Sequence, residues 1–206
     1  MKFSRHSYLD EIMSLKLKDF IVRENYSHHS SFALKTELSK SEETEYECQL
    51  NFGNTTTFIY TNEHSEIEGT IRVTEWNSRD ELPIQKLFSI NPLHYVSNKA
   101  YNVWHIGGFA IKKNRSVKVF KTLMLLSIRE ICKHKHSFAL AECDSKLLRV
   151  LNLLGIETEI LSDAIHYLGS ETIPIKISYD SLNSFLNDNL DTLAQLPDSV
   201  VFPMIA

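Results

Sequence analysis

The stretch YNVWHIGGFAIKKNRSVKVFKTLMLL, residues 101–126, limits the fold more than any other part of the chain. It reads as a strand ending near Lys112, a short basic loop, and a helix beginning near Val117. Gly107 and Gly108 fall inside the strand. A glycine pair there gives up side-chain packing and marks a bulge or a close backbone approach. The loop gathers Lys112, Lys113, Arg115 and Lys118 around a helix N-terminus. Free backbone N–H groups and the helix dipole favour an anion at such a place. Two readings stay open on these residues alone. One is a splayed strand beside a phosphate-sized basic entrance, a seat for a long thioester cofactor arm. The other is a bulged core strand followed by a solvated basic turn.

The rest of the chain bounds the choice. At 206 residues a single domain spanning 1–206 is expected, with enough chain to bury a core. Hydrophobic content of 43% and charged content of 23% are ordinary for a soluble globular protein. A net charge of −4 speaks against a protein dedicated to nucleic acid. Cys48, Cys132 and Cys143 show no CxxC or CxxH spacing, so reduced thiols are expected rather than a disulfide frame or a zinc site. The N-terminus carries no uninterrupted apolar h-region, and no run approaches the roughly 20 apolar residues needed to span a bilayer. The expectation is a cytoplasmic protein with no integral membrane segment and no metal.

Taken in order, residues 7–25 have helical apolar spacing. Residues 26–47 are polar; adjacent His28 and His29 point apart in most backbones, and the acidic run at 42–47 reads as a solvated loop. Residues 55–61 and 67–75 read as an antiparallel hairpin rich in β-branched residues. Arg72 stands in the middle of its second strand, either facing out or pointing into a cleft to meet a carboxylate from 42–47 or an acidic substrate. A short helix or turn at 80–88 and a loop at 91–100 lead to the strand-loop-helix, whose helix is expected to run to about His136. A buried strand at 137–142 precedes a helix at 145–154, with Asp144 as N-cap and Gly155 as its stop. Strand-like segments at 156–162 and 164–168 follow, then a strand at 172–178 whose Pro174 suggests an edge position. One amphipathic helix at 179–196 closes the chain before a short apolar tail. The order implies an α+β layout with a mixed sheet.

Two segments resemble the GNAT superfamily of acyl-CoA-dependent N-acyltransferases. DSKLLRVLNLLGI, 144–156, is similar to the pattern NxxAxxLYxxLGF. GGFAIKK followed by NRSVKVFKTLMLL resembles the family's fourth strand, pyrophosphate loop and third helix. That loop is Q/R-x-x-G-x-G/A in the family; here Arg115 takes the first position, but Lys118 and Phe120 replace the glycines. A narrower branch is closer. WHIGGFAI resembles the WELSRFAV segment of acyl-homoserine-lactone synthases, with Trp104, Phe109 and Ala110 matching. His105 stands at that family's glutamate, and Gly107 and Gly108 at its serine and arginine. IEGTIRVT is similar to its GxxRLLP strand, with Arg72 at the arginine; Lys16, Phe20 and Tyr26 keep the spacing of its Arg, Phe and Trp. HYLGSETIPIKIS resembles the last strands of autoinducer synthases and of long-chain N-acyl amino acid synthases.

The resemblance implies an α/β/α sandwich, a GNAT-like fold with a central mixed, mostly antiparallel sheet. It implies an N-acyltransferase with no permanently bound cofactor, using acyl-phosphopantetheine on acyl carrier protein or coenzyme A as co-substrate and a small amine such as an amino acid as acceptor. Loss of the signature Glu and Arg argues against S-adenosylmethionine as acceptor. The weakened pyrophosphate loop suits acyl carrier protein as partner, with Arg115, Lys113 and Lys118 meeting its acidic surface. In this reading Gly108, Phe109 and Ile111 lie along the donor, and Arg72, Trp104 and Tyr26 meet the acceptor. His105 is one candidate base, since histidine titrates between pH 5 and 8; Glu142 is its competitor, or a structural partner for Arg72. Leu151 stands where many GNATs keep a tyrosine acid. Phe88, Leu123, Leu126 and Leu140 are the apolar positions that would line an acyl tunnel. The rival implications are a degenerate module that binds acyl carrier protein or a small ligand without catalysis, and a plain acetyl-CoA N-acetyltransferase.

Overall fold

The computed structural model describes residues 2–29, 54–167 and 170–201. The acidic run at 42–47, Cys48, Leu168, residues 202–206 and the side chains of His28 and His29 lie outside that description.

The first strand, β1 (Lys2–His6), is not foreseen from sequence. It pairs antiparallel with β2 (Thr55–Thr61), Lys2 opposite Thr61 and His6 opposite Thr57. Five residues that include Lys2, Arg5 and His6 carry no period-2 apolar signal, so the sheet edge imposes the strand. The first helix, α1 (Glu11–His29), starts later than its apolar spacing suggests. Asp10 explains the start: its Oδ1 accepts from the Met13 N–H at 2.7 Å, a side-chain N-cap.

The expected hairpin forms, β2 against β3 (Ile67–Glu75). Helix α2 (Pro83–Phe88) begins on its proline, and a 3-10 turn (Pro92–Tyr95) sits in the expected loop. The central motif is β4 (Asn102–Ile111) and α3 (Val117–Cys132). Helix α3 stops short of His136, whose φ of +63° cannot continue a right-handed helix. Next come β5 (Ser137–Asp144) and α4 (Ser145–Leu153); Asp144 Oδ1 caps α4 by accepting from the Leu147 N–H at 2.6 Å.

The closing region departs from expectation in two ways. Short strands β6 (Glu159–Ile160) and β7 (Ile165–Tyr167) both pair with β8 (Ser170–Ser178). That makes β8 an internal strand between β5 and β6, so Pro174 is not at an edge. Its carbonyl accepts from the Leu161 N–H at 3.0 Å on the β6 side. In a strand a residue's N–H and C=O point the same way, so the donor proline lacks is missing only toward those short, interrupted strands. The single closing helix is instead α5 (Tyr179–Asn187) and α6 (Leu190–Ala194), and a further turn of helix, α7 (Asp198–Val201), forms in the expected tail. Asn189 Nδ2 donates to the Phe185 carbonyl at 2.7 Å, which helps end α5.

The described strands form one mixed sheet in the order β1-β2-β3-β4-β5-β8-β6, with β7 beside β8. Alternation sorts its side chains onto two faces. Phe58, Ile71, Val73, Trp104, Ile106 and Ala139 share a core with Leu123, Leu125 and Ile128 of α3. Val103, Phe138 and Leu140 point the other way and pack with Leu82 and Ile84 at α2, while Ile59 meets Leu9 and Leu17 at α1. Each fully buried Leu or Ile of α3 contributes about 1.5–3 kcal/mol relative to exposure, so this helix anchors both halves of the sheet.

Candidate active site

Strands β4 and β5 form the one parallel pair among the described strands, and their ladder ends at Ile106 opposite Ala141. Beyond that point β4 stays with β3, out to Ile111 opposite Gly69. Strand β5 stays with β8, out to Asp144 opposite Thr172. The two strands therefore diverge, and a cavity of about 440 Å³ with mostly apolar walls occupies the gap. Small-molecule sites have this size. Its lining takes Arg72 and His105 from one sheet face and Ile106, Met124 and Ile177 from the other, so it passes through the sheet.

At the apex of the divergence stand His105 and Glu142. The parallel register sets His105 opposite Leu140, which places Glu142 two residues further along and on the same face. His105 Nε2 lies 3.1 Å from Oε1 and 3.0 Å from Oε2 of Glu142. The histidine is 2% exposed, and the Glu142 side chain 12%. A carboxylate facing Nε2 keeps the proton on that nitrogen and leaves Nδ1 as an acceptor.

Both glycines of β4 have structural reasons. A Cβ on Gly107 would stand 2.7 Å from Cε1 and 3.3 Å from Nδ1 of His105. Gly108 has φ +56°, in the left-handed region that favours glycine. Thr70 pairs with Ala110 and Arg72 with Gly107, so Gly108 and Phe109 together stand against Ile71 alone. This is a β-bulge, and it turns the backbone at the groove. Arg72, opposite Gly107, is 3% exposed and lines the cavity. Its side chain points into the cleft rather than outward.

The basic loop is held by carboxylates that sequence reasoning missed. Arg115 forms an ion pair with Glu68, which is fully buried, and Lys112 Nζ lies 3.5 Å from the same Oε1. Asn62 Nδ2 donates to that oxygen at 3.3 Å. The Lys113 N–H donates to Glu24 Oε2 at 3.3 Å. Phe109 and Phe120 meet edge to face at 5.4 Å and tie the bulge to the first turn of α3. Cys143 also lines the cavity; burial, with Asp144 and Glu142 adding to it, pushes its thiol up to about 12. A thiol so protonated is a poor nucleophile.

Of the residues singled out from sequence, Arg72, His105, Gly108, Phe109, Ile111, Arg115 and Glu142 line this one cavity. Tyr26, Trp104, Lys113 and Lys118 do not line it. Trp104 precedes His105 on the strand and so points to the opposite face, where it is buried in the α3 core with its ring 5.8 Å from that of His134. The side chains of Lys113 and Lys118 are at the exposed surface. Leu123, Leu126 and Leu140 are core rather than cavity wall, and Phe88 packs in the α2 cluster. Met124, Leu147, Leu151 and Ile175 form the apolar wall instead. The signals for the missed carboxylates were present: Glu24 follows Phe20 and Ile21 on one helix face, and Glu68 shares the strand parity of Arg72.

No family model and no curated protein matches the sequence. Solved structures do. FeeM, an N-acyl amino acid synthase from uncultured soil microbes, superposes with a TM-score of 0.64 at 12% identity, over 89% of this chain and 94% of that one. TofI, in a ternary complex with an inhibitor and MTA, gives 0.61 at 12% identity, over 97% of this chain and 100% of that one. The acyl-homoserine-lactone synthase LasI gives 0.55 at 10% identity, over 91% and 93%. The fold is that of the GNAT-like acyltransferases. Its solved neighbours include acyl-homoserine-lactone synthases, which the motifs at 67–74 and 104–111 resemble, and an N-acyl amino acid synthase, whose last strands the segment at 166–178 resembles. No described helix is long and apolar enough to cross a membrane.

Proposed function

We propose that this protein is an N-acyltransferase that moves an acyl group, a fatty acyl chain in the first instance, from a phosphopantetheine thioester to an amine such as an amino acid. The observation that carries the reading is the divergence of β4 from β5 with the His105–Glu142 pair at its apex. The pantetheine arm lies along the open side of β4, past Gly108, Phe109 and Ile111. Its phosphate end faces the β4–α3 loop and its acyl chain the apolar wall at Met124, Leu147 and Leu151.

The amine must lose a proton to attack the thioester carbonyl. His105 takes that proton on Nδ1, and Glu142 stabilises the imidazolium that forms. Glu142 thus acts with His105 rather than in competition with it. The C–N bond forms as a tetrahedral oxyanion develops, held by backbone N–H groups of the bulge near Gly108 and Phe109. The C–S bond then breaks, and the thiolate takes the proton held by the His105 imidazolium, leaving as the free thiol and restoring the neutral base. No tyrosine acid is needed at the Leu151 position, because a thiol with pKa near 8.5 is a good leaving group. Arg72, buried beside the reacting centre, meets a carboxylate on the acceptor.

Acyl carrier protein is the donor partner in this reading. The test is incubation of the pure protein with acyl carrier protein bearing short to long acyl chains, and separately with the matching coenzyme A esters, across a panel of amino acids and amines. Release of thiol with formation of an N-acyl product is expected, and His105→Ala should lower turnover by roughly 10² or more. Tight binding of the acyl donors without product would instead identify a binding module. Turnover with acetyl-CoA alone would identify a plain acetyltransferase.

A further inference from the structure

The mouth of the groove already holds negative charge of its own. Glu24 lines the cavity together with Ile21 and Asn25, at i, i+3 and i+4 on one face of α1. It is 9% exposed, and its Oε2 takes the Lys113 N–H, a backbone donor of the loop that would face a donor phosphate. The cations nearest that loop are drawn to a second carboxylate, since Arg115 and Lys112 both engage buried Glu68. Lys113 and Lys118 place their side chains at the surface, outside the cavity lining. At the β4–α3 loop, then, the cations Lys112 and Arg115 are already engaged by Glu68, and Glu24 adds a second carboxylate beside them; Arg72 and Lys146 line the cavity elsewhere.

We propose that Glu24 is a donor-specificity residue: its carboxylate, fixed on the Lys113 N–H at the groove mouth, disfavours the diphosphate of a coenzyme A donor more than the single phosphodiester of a carrier-borne pantetheine. The inference rests on the pantetheine seating described above. The physical basis is Coulombic. A like charge in a partly buried cleft is poorly screened by salt, so each added phosphate charge meets the repulsion again. Coenzyme A brings a diphosphate and a ribose phosphate to the place where a carrier protein brings one phosphodiester. Glu24→Gln keeps the side-chain shape and an oxygen for the Lys113 N–H, and removes only the charge.

Titration calorimetry with pantetheine, 4′-phosphopantetheine and coenzyme A, on the unmodified protein, Glu24→Gln and Glu24→Ala, tests this. In the unmodified protein coenzyme A is expected to bind no tighter than 4′-phosphopantetheine. Both variants should tighten coenzyme A by roughly tenfold, 4′-phosphopantetheine by less, and uncharged pantetheine not at all. Coenzyme A binding tenfold tighter than 4′-phosphopantetheine in the unmodified protein overturns the proposal, and that comparison stands even if neither variant folds. Equal affinities for coenzyme A with and without Glu24, while all three ligands bind, overturns it too. Absence of binding by all three ligands in every protein overturns the pantetheine seating itself, and the proposal with it.

Discussion

Gly107 and His105 lie on one side of β4, and the imidazole sits over the glycine so closely that a Cβ there would come within 2.7 Å of Cε1. The glycine leaves room for the ring in the position where it meets Glu142. Gly107→Ala should therefore push the imidazole off Glu142 without touching the hydrophobic core. Turnover is expected to fall by roughly tenfold to a hundredfold, within the range of a lost general base, while the thermal midpoint moves little. A thiol-release assay beside a melting curve checks both.

Glu142→Gln separates charge from geometry. The amide oxygen can still accept from His105 Nε2–H, so the ring stays in place, but an imidazolium is no longer stabilised. Turnover should drop by roughly tenfold or more at unchanged KM for the acyl donor. An unchanged turnover would reduce Glu142 to a structural partner.

Arg115 has a structural duty that its place in a basic loop conceals. It neutralises Glu68, which is fully buried. Arg115→Met should destabilise the fold by about 2–3 kcal/mol, because a buried carboxylate is left with weaker compensation. Adding Glu68→Leu should recover most of that loss, since the unpaired charge goes as well. Urea unfolding of the two single variants and the double variant measures it.

The thiols respond to alkaline pH. Burial pushes both Cys132 and Cys143 up to about 12, against about 8.5 for a free cysteine. A raised folded pKa means that the stability these thiols contribute is fully present below the unfolded value. It is lost as pH rises from there toward about 12. At pH near 8, iodoacetamide should leave both residues unmodified in the native protein and label them in denaturant, read by peptide mapping. Urea midpoints should fall as the pH is raised above roughly 9.

Local chemistry made much of this fold legible in the sequence. The β-branched run at Thr55–Thr61, the Asp144 cap and the glycine pair each specify their own surroundings. Features set by distant pairing were not legible. Strand β1 exists because an edge was free beside β2, and Pro174 sits inside the sheet because its neighbours on one side are short. The site followed the same division. His105 and Glu142 were each visible as candidate bases, but only the parallel register, with His105 against Leu140, turns two rivals into one pair. Trp104 was assigned by resemblance alone, and strand alternation sends it to the other face.

The ladder between β4 and β5 is five residue pairs long, from Asn102 with Ser137 to Ile106 with Ala141, and it is the seam between the two halves of the sheet. A donor arm lying along β4 would continue that seam past its last rung, so the substrate would serve as a removable piece of the scaffold. Occupancy would then be felt as stiffness: amide exchange would slow in β3 and β8, on both flanks of the groove, as well as at the residues that touch the ligand.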